Sequence, residues 1–233
     1  MGATWFILHP LAHAAIFATV LSEVIRARLP GADGPAAYPV YLLAGMAAWH
    51  LFSDILARSL TLFIDNAHTL KKLSFPRACL PAIAWGSALI NHALLLTAIA
   101  VVSVALGHNP SGAWMGLLAG AVLISMFAFG LGLAAGVFNV FSRDVGQVVG
   151  VLVQLWFWLT PVVYTAESVP QRLRWLVDFN PMYPLVRIYQ DALLYHRWPD
   201  PWSLLLPALT ATTLVILSWF LLCRSASDLV DAL

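Results

Sequence analysis

Charge is what this sequence has least of. Charged side chains make up 10% of its 233 residues and hydrophobic ones 61%, whereas a soluble domain carries roughly 25% charged residues. No soluble interior of this size hides so much apolar surface, so the chain needs an apolar solvent, and a bilayer is one. The net charge of +1 excludes the basic field that nucleic acid demands. Cysteine is nearly absent. Cys79 and Cys223, far apart, build neither a disulfide framework nor a metal motif and read as small apolar residues near helix ends. Alternation of apolar and polar residues is missing, which excludes a β-barrel. A cleavable leader is missing too: the first apolar run, Thr4 to Val24, lacks a basic start and an Ala-x-Ala exit, and reads as a retained span.

Catalytic signatures are also absent. Without Gly-x-x-x-x-Gly-Lys-Ser/Thr the chain cannot cradle ATP phosphates by itself, and it has no His-Glu-x-x-His or Gly-x-Ser-x-Gly. His9 and His13 stand four apart on one helix face, but no third ligand accompanies them, so they read as interfacial or packing residues and no metal site is expected. Carboxylates are rare at membrane depth, where Asp54 stands nearly alone; proton-driven carriers carry several as relays. Gly/Pro-broken helices in two related halves are missing as well. A pump with this sequence takes its energy from another chain.

What is present is a series of apolar runs about 20 residues long, the length of a spanning helix. Six are found: Thr4–Ile25, Tyr38–Ile64, Leu80–Leu106, Trp114–Val140, Val145–Thr165 and Trp202–Cys223. The fold class is therefore all-α, a polytopic membrane protein forming one domain over residues 1–233. Turn formers punctuate it at Leu29–Pro35, Gly107–Gly112 and the very short Phe141–Asp144. The stretch Ala166–Pro201 is too polar to span simply. Ser168 is placed to cap a helix with Pro170 in its first turn, and Leu173, Leu176 and Val177 share one face. A second helix starts near Pro184, with Leu185, Ile188, Tyr189 and Ala192 on one side and an Arg187–Asp191 pair on another. Two short amphipathic helices, interfacial or re-entrant, are expected before the last span.

Orientation is not set by charge. Lys71, Lys72, Arg77, Arg143 and Arg224 on one side balance Arg26, Arg28, Arg172, Arg174, Arg187 and Arg197 on the other, though the dense Lys71–Arg77 cluster favours a cytoplasmic loop. Asp54 and Arg58, four apart in the second span, are either a neutralised structural pair or the wall of a water-filled path. Asn91, His92 and Gln154, near mid-span, are expected to hydrogen-bond between helices.

Two stretches carry a family resemblance. One runs Gly45-Met-Ala-Ala-Trp49-His-Leu-Phe52, then Asn66-Ala-His-Thr-Leu70-Lys71-Lys72-Leu-Ser-Phe75-Pro76-Arg77 and Leu80-Pro81. The other has Gly130-Leu-Gly132, Asn139-Val-Phe-Ser-Arg143-Asp144, Gln154, Thr160-Pro161-Val-Val-Tyr164, Val169-Pro170 and Asn180-Pro181. In order and spacing this set resembles the type-2 ABC-exporter permeases that export polysaccharides: O-antigen, capsule and teichoic acid. The resemblance implies six spans with both termini in the cytoplasm of a bacterial cell, a multi-pass protein of the inner membrane. It implies a homodimer on which two copies of a separate P-loop ATPase dock, with ATP and Mg bound by that partner and no cofactor held by this chain. The implied cargo is a glycan on undecaprenyl diphosphate.

Residue by residue, the resemblance makes Asn66, Leu70, Lys71, Lys72, Phe75, Pro76 and Arg77, with Arg143 and Asp144, the ATPase-coupling segments. It makes Thr160, Pro161, Tyr164, Pro170, Asn180 and Pro181 part of an outer gate. Asp54, Arg58, Gln154, Trp156, Trp158 and Tyr183 are channel candidates; stacking on sugars and anchoring in the interface belt serve equally well for their aromatic members. The sequence departs from the family pattern where it starts almost inside the first span, where Gln190 replaces an expected basic residue, and in the short tail after Cys223, which leaves no carbohydrate-binding appendage. Alternatives are an ABC permease for a drug, lipid or peptide, a membrane-embedded transferase acting on lipid-linked sugars (no carboxylate or His cluster supports it), and a scaffold without transport.

Overall fold

A computed structural model describes residues 37–68 and 79–225, with the isolated positions 12 and 229. The first expected span, with His9 and His13, lies outside the described residues, as do Leu70, Lys71, Lys72, Phe75, Pro76 and Arg77. The described chain is helical and contains no strand. In order it forms α1 (Ala37–Asp65), α2 (Cys79–Ala105), a 3-10 turn leading into α3 (Gly116–Phe141), α4 (Asp144–Leu159), two 3-10 turns, α5 (Arg174–Asp178), α6 (Met182–Leu193) and α7 (Pro201–Arg224). Helices α1, α2, α3 with its leading turn, and α7 are long and apolar enough to cross a membrane, and each lies within two residues of an expected span.

Helix α1 is the centre of the bundle. Val40, Leu42, Ala44, Ala47, Ala48 and Phe52 are fully buried, and the helix packs on α2, α3 and α6. Helix α3 comes close enough to α1 that a Cβ on Gly136 would strike the Ser59 carbonyl oxygen. Such small-residue seams replace the hydrophobic effect as the source of helix association in lipid. Helix α7 lies against α3 and turns Leu205, Leu206, Leu209, Ile216 and Phe220 outward, as a lipid-facing helix does.

The helix ends follow from local chemistry. Gly107, at φ 92°, takes the left-handed conformation that stops α2; its N–H bonds the Val104 carbonyl, and the His108 N–H reaches back to that of Ser103, which is the Schellman closure. Asp200 caps α7 by accepting from the Trp202 N–H at 3.2 Å, with Pro201 at the first helical position.

Two expectations need correction. The fifth run does not continue as helix to Thr165: α4 stops at Leu159. Pro161 disfavours helical geometry in the residue before it, and Thr160 is extended, at ψ 131°. The 16 residues of α4 rise about 24 Å, short of a hydrocarbon core of about 30 Å. The backbone that follows is irregular but buried from Thr160 to Val163, the condition under which such backbone is tolerated at membrane depth. Nor does Ser168 cap a helix. Its hydroxyl donates to the Thr165 carbonyl within the 3-10 turn Ala166–Ser168, and Pro170 begins a second 3-10 turn, so that α5 starts only at Arg174. Val177 alone of its expected apolar face is buried; Leu173 is exposed. Helix α6 matches better, with Leu185, Ile188, Tyr189 and Ala192 all buried and the Arg187–Asp191 pair formed at 3.2 Å.

Candidate functional site

The break after α4 gathers most of the expected gate residues around one amide. Asn180, buried at 6% exposure, accepts through Oδ1 from Trp156 Nε1 at 2.9 Å and from the Met182 N–H at 3.0 Å. Its Nδ2 donates to Thr160 Oγ1 at 2.9 Å and, more loosely, to the Leu159 carbonyl at 3.4 Å. Thr160 Oγ1 in turn donates to the Trp156 carbonyl. Of the carbonyls freed by the end of α4, those of Trp156 and Phe157 accept from the Thr160 N–H and that of Leu159 from Asn180, just before α6, where Pro181 is the N-cap residue.

The next residues are tied down from the other side. Tyr38 donates to the Val163 carbonyl at 2.8 Å and Tyr41 to that of Tyr164 at 2.9 Å. Gln190 donates to the Pro161 carbonyl at 3.1 Å, and the Tyr164 hydroxyl bonds the Trp158 carbonyl. Gly45 makes room for this: a Cβ there would lie 2.9 Å from Gln190 Nε2 and 3.1 Å from the Val162 carbonyl oxygen. Gln190 is 3% exposed, a burial that suits a neutral amide and would desolvate an ammonium or guanidinium. Pro170 is the exception among the gate candidates; it stands exposed at the head of its turn.

The channel candidates divide. Trp156 is half-buried and meets Phe52 edge-on, with ring centroids 5.3 Å apart, while Phe157 meets Trp49 in the same way at 5.5 Å. An apolar cavity of about 440 Å³ opens beside Trp156, walled by Leu56, Leu131 and Val153. Gln154 is exposed rather than bonded between helices, and Trp158 is 56% exposed; α4 has no fully buried residue among the described elements. Asp54 and Arg58 form their pair at 2.9 Å. They lie two positions either side of Leu56, about 200° around the helix, so they face away from the cavity and the candidates are not assembled into one wall. Tyr183 is half-buried on α6. His92 does bond between helices, its Nε2 lying 2.8 Å from the Tyr189 hydroxyl.

At the opposite end of α1, Asn66 closes the helix by donating to the Leu62 carbonyl. Arg143 and Asp144 are exposed in the turn between α3 and α4. That turn is held by Asn139, which donates to the Leu60 carbonyl of α1 at 3.0 Å and accepts from the Gly146 N–H at 2.9 Å. Sequence reasoning missed Tyr38, Tyr41 and the partner of His92. Tyrosines at the end of an apolar run look like interface residues, and only the fold brings residues more than a hundred positions away to their hydroxyls.

Helix α4 thus ends in buried irregular backbone, with the short helix α6 folded back on the break. The sequence model of the ABC-2 type transporter family matches residues 1–194. The chain belongs to this family. Among the relatives of this ABC-2 type permease is an O-antigen export system permease protein RfbA from Klebsiella pneumoniae, 28% identical over 83% of this chain and 73% of the relative. Another of that name, from Myxococcus xanthus, is 28% identical over 93% and 81%. The polysialic acid transport protein KpsM of Escherichia coli is 22% identical over 83% and 74%. The ABC-2 match runs through α1 to α6 and includes the Asn180 and Gln190 ties.

Proposed function

We propose that the protein is the membrane-spanning permease subunit of an ABC transporter that exports a lipid-linked polysaccharide of the O-antigen type. The observation that carries this is the similarity to O-antigen export permeases over most of the chain within a family match to residue 194. The geometry supports it: the buried break at Thr160–Pro161 gives the permease non-helical backbone at membrane depth without exposing it to lipid. In this reading six spans cross the bacterial inner membrane, with α5 and α6 re-entrant at the outer face and the Phe141–Asp144 turn inside. Two copies form the pathway, with the exposed apolar face of α4 between them. Two P-loop ATPase subunits, holding ATP and Mg, dock on the loop between α1 and α2. The cargo is a glycan carried on undecaprenyl diphosphate.

Deleting the gene in its host tests the reading. Surface polysaccharide disappears and undecaprenyl-linked glycan accumulates inside; plasmid copies of the permease and its neighbouring ATPase restore export only together. Normal surface polysaccharide in the deletion strain would refute it.

A further inference from the structure

Twelve basic and eleven acidic residues occur in the whole chain, and five of them, Glu167, Arg187, Asp191, Arg197 and Asp200, line the space beside α6. A pocket of about 210 Å³ between the start of α1, the turn at Thr165–Glu167 and α6 is lined by Tyr183, Tyr195, Arg187, Arg197, Asp191 and Glu167. A second, of about 310 Å³, shares Tyr183, Arg187, Asp191 and Arg197 with it and runs on to Trp198 and Ser203. Together they make one groove in the lower part of the range of roughly 300–1,000 Å³ usual for small-molecule sites.

The walls are built rather than accidental. His196 holds a left-handed backbone at φ 53°, uncommon for a residue other than glycine. This turn follows α6 directly, and in it the Arg197 N–H bonds the Asp191 carbonyl at 3.0 Å. The fold-back sets the Arg197 guanidinium over the Tyr195 ring, 5.6 Å from its centroid. Arg187 gives its Nε–H to Asp191 at 3.2 Å, yet it stays exposed. Burial pushes the Asp191 carboxyl above its ordinary value, with Arg187 pulling the other way.

We infer that this groove is a saccharide subsite that takes one hydroxyl-rich sugar unit of the exported glycan, by its ring face and hydroxyls rather than by an anionic group. The inference rests on the export reading and deepens it. Two arginines stand against three carboxylates, Glu167, Asp191 and Asp200, so the groove has no excess positive charge to select an anion. Tyrosine rings offer flat amphipathic faces for the apolar side of a pyranose, while guanidinium and carboxylate groups supply paired donors and acceptors for vicinal hydroxyls. In the proposed topology the groove opens at the outer face, beside the Tyr41–Tyr164 tie, where a chain leaving the pathway passes it.

The test uses the permease–ATPase complex in lipid nanodiscs and the host's own surface polysaccharide, freed of lipid by mild acid, as the probe in saturation-transfer NMR. Wild-type complex is expected to bind it. Arg197→Gln, which alters an exposed side chain, and Tyr183→Ala are each expected to weaken binding by roughly tenfold, with an unchanged melting temperature for Arg197→Gln. Excess inorganic phosphate should not displace the probe. Equal binding by wild type and a folded Arg197→Gln complex, or displacement by phosphate, would overturn the subsite. The deletion strain separates the two ideas. If it keeps its surface polysaccharide, the export reading fails; if it loses it while both variants bind and export normally, only the subsite fails.

Discussion

Asn180 satisfies four groups with one amide. Replacing it with Ala leaves buried donors without partners at about 1–3 kcal/mol each, so Asn180→Ala should lower the melting temperature of the purified permease clearly and reduce surface polysaccharide. Asn180→Asp, which keeps the acceptor and loses the donor, should fall in between. A melting temperature equal to wild type for the Ala variant would contradict this account. Gly45→Ala should also destabilise, because neither Gln190 nor the Val162 carbonyl can retreat without breaking a tie. The Asp54–Arg58 pair should be coupled. Its groups bond at 2.9 Å within a spanning helix, and a double-mutant cycle read by thermal unfolding should show the double change costing less than the two single changes together. At this scale the family resemblance singled out Asn180 as a gate residue and Gln190 only as a departure from the expected basic residue. It could not show their partners, since hydrogen bonds across a hundred residues leave no periodic trace.

Among the elements, long uniform helices were the easiest to read: apolar runs closed by Gly107 or capped by Asp200 fix their own ends. Helix α4 was harder. Its hydropathy continues past Leu159, and only the steric demand of Pro161 on Thr160 ends it. Restoring a helix former should show this. Pro161→Ala should extend α4 by about a turn and pull the Thr160–Tyr164 backbone away from Tyr38 and Tyr41. Amide hydrogen exchange is expected to slow at residues 160–162 and to quicken around 163–165; an unchanged pattern would mean that the tyrosine ties, not the proline, set the break. The outward face of α4, with Val148, Val151, Leu152 and Leu155 all more than half exposed, is the surface that the proposed dimer places between its two copies. Leu155→Glu should convert the purified dimer to monomer on light scattering in detergent while the monomer keeps its helical circular dichroism.

For the molecule as a whole, α1 joins two ends. Its 29 residues span about 43 Å, from the tyrosine ties near its start to Asn66 at its finish. The loop that follows, with Lys71, Lys72 and Arg77, lies outside the described residues, and its coupling role is what the family resemblance implies. Replacing all three with Gln should leave the permease in the membrane but weaken co-purification of the ATPase and stop polysaccharide export. Correct membrane insertion with an intact ATPase complex and normal export would count against a coupling role.

The tyrosine ties also govern how the protein is made. The Tyr38 hydroxyl meets a carbonyl 125 residues later in the chain, and that of Tyr41 one 123 residues later. At roughly 5–20 residues per second of synthesis, each tyrosine waits about 6–25 s for its acceptor. Until residue 164 emerges, α1 stands in the bilayer with two phenols that have not met their final acceptors. The ties therefore form well after the α1–α3 seam, so a ribosome stalled before Pro161 leaves a nascent chain in which that seam has both its helices while Tyr38 and Tyr41 still lack their acceptors. Quality-control proteases that survey unfinished membrane proteins would meet their substrate there.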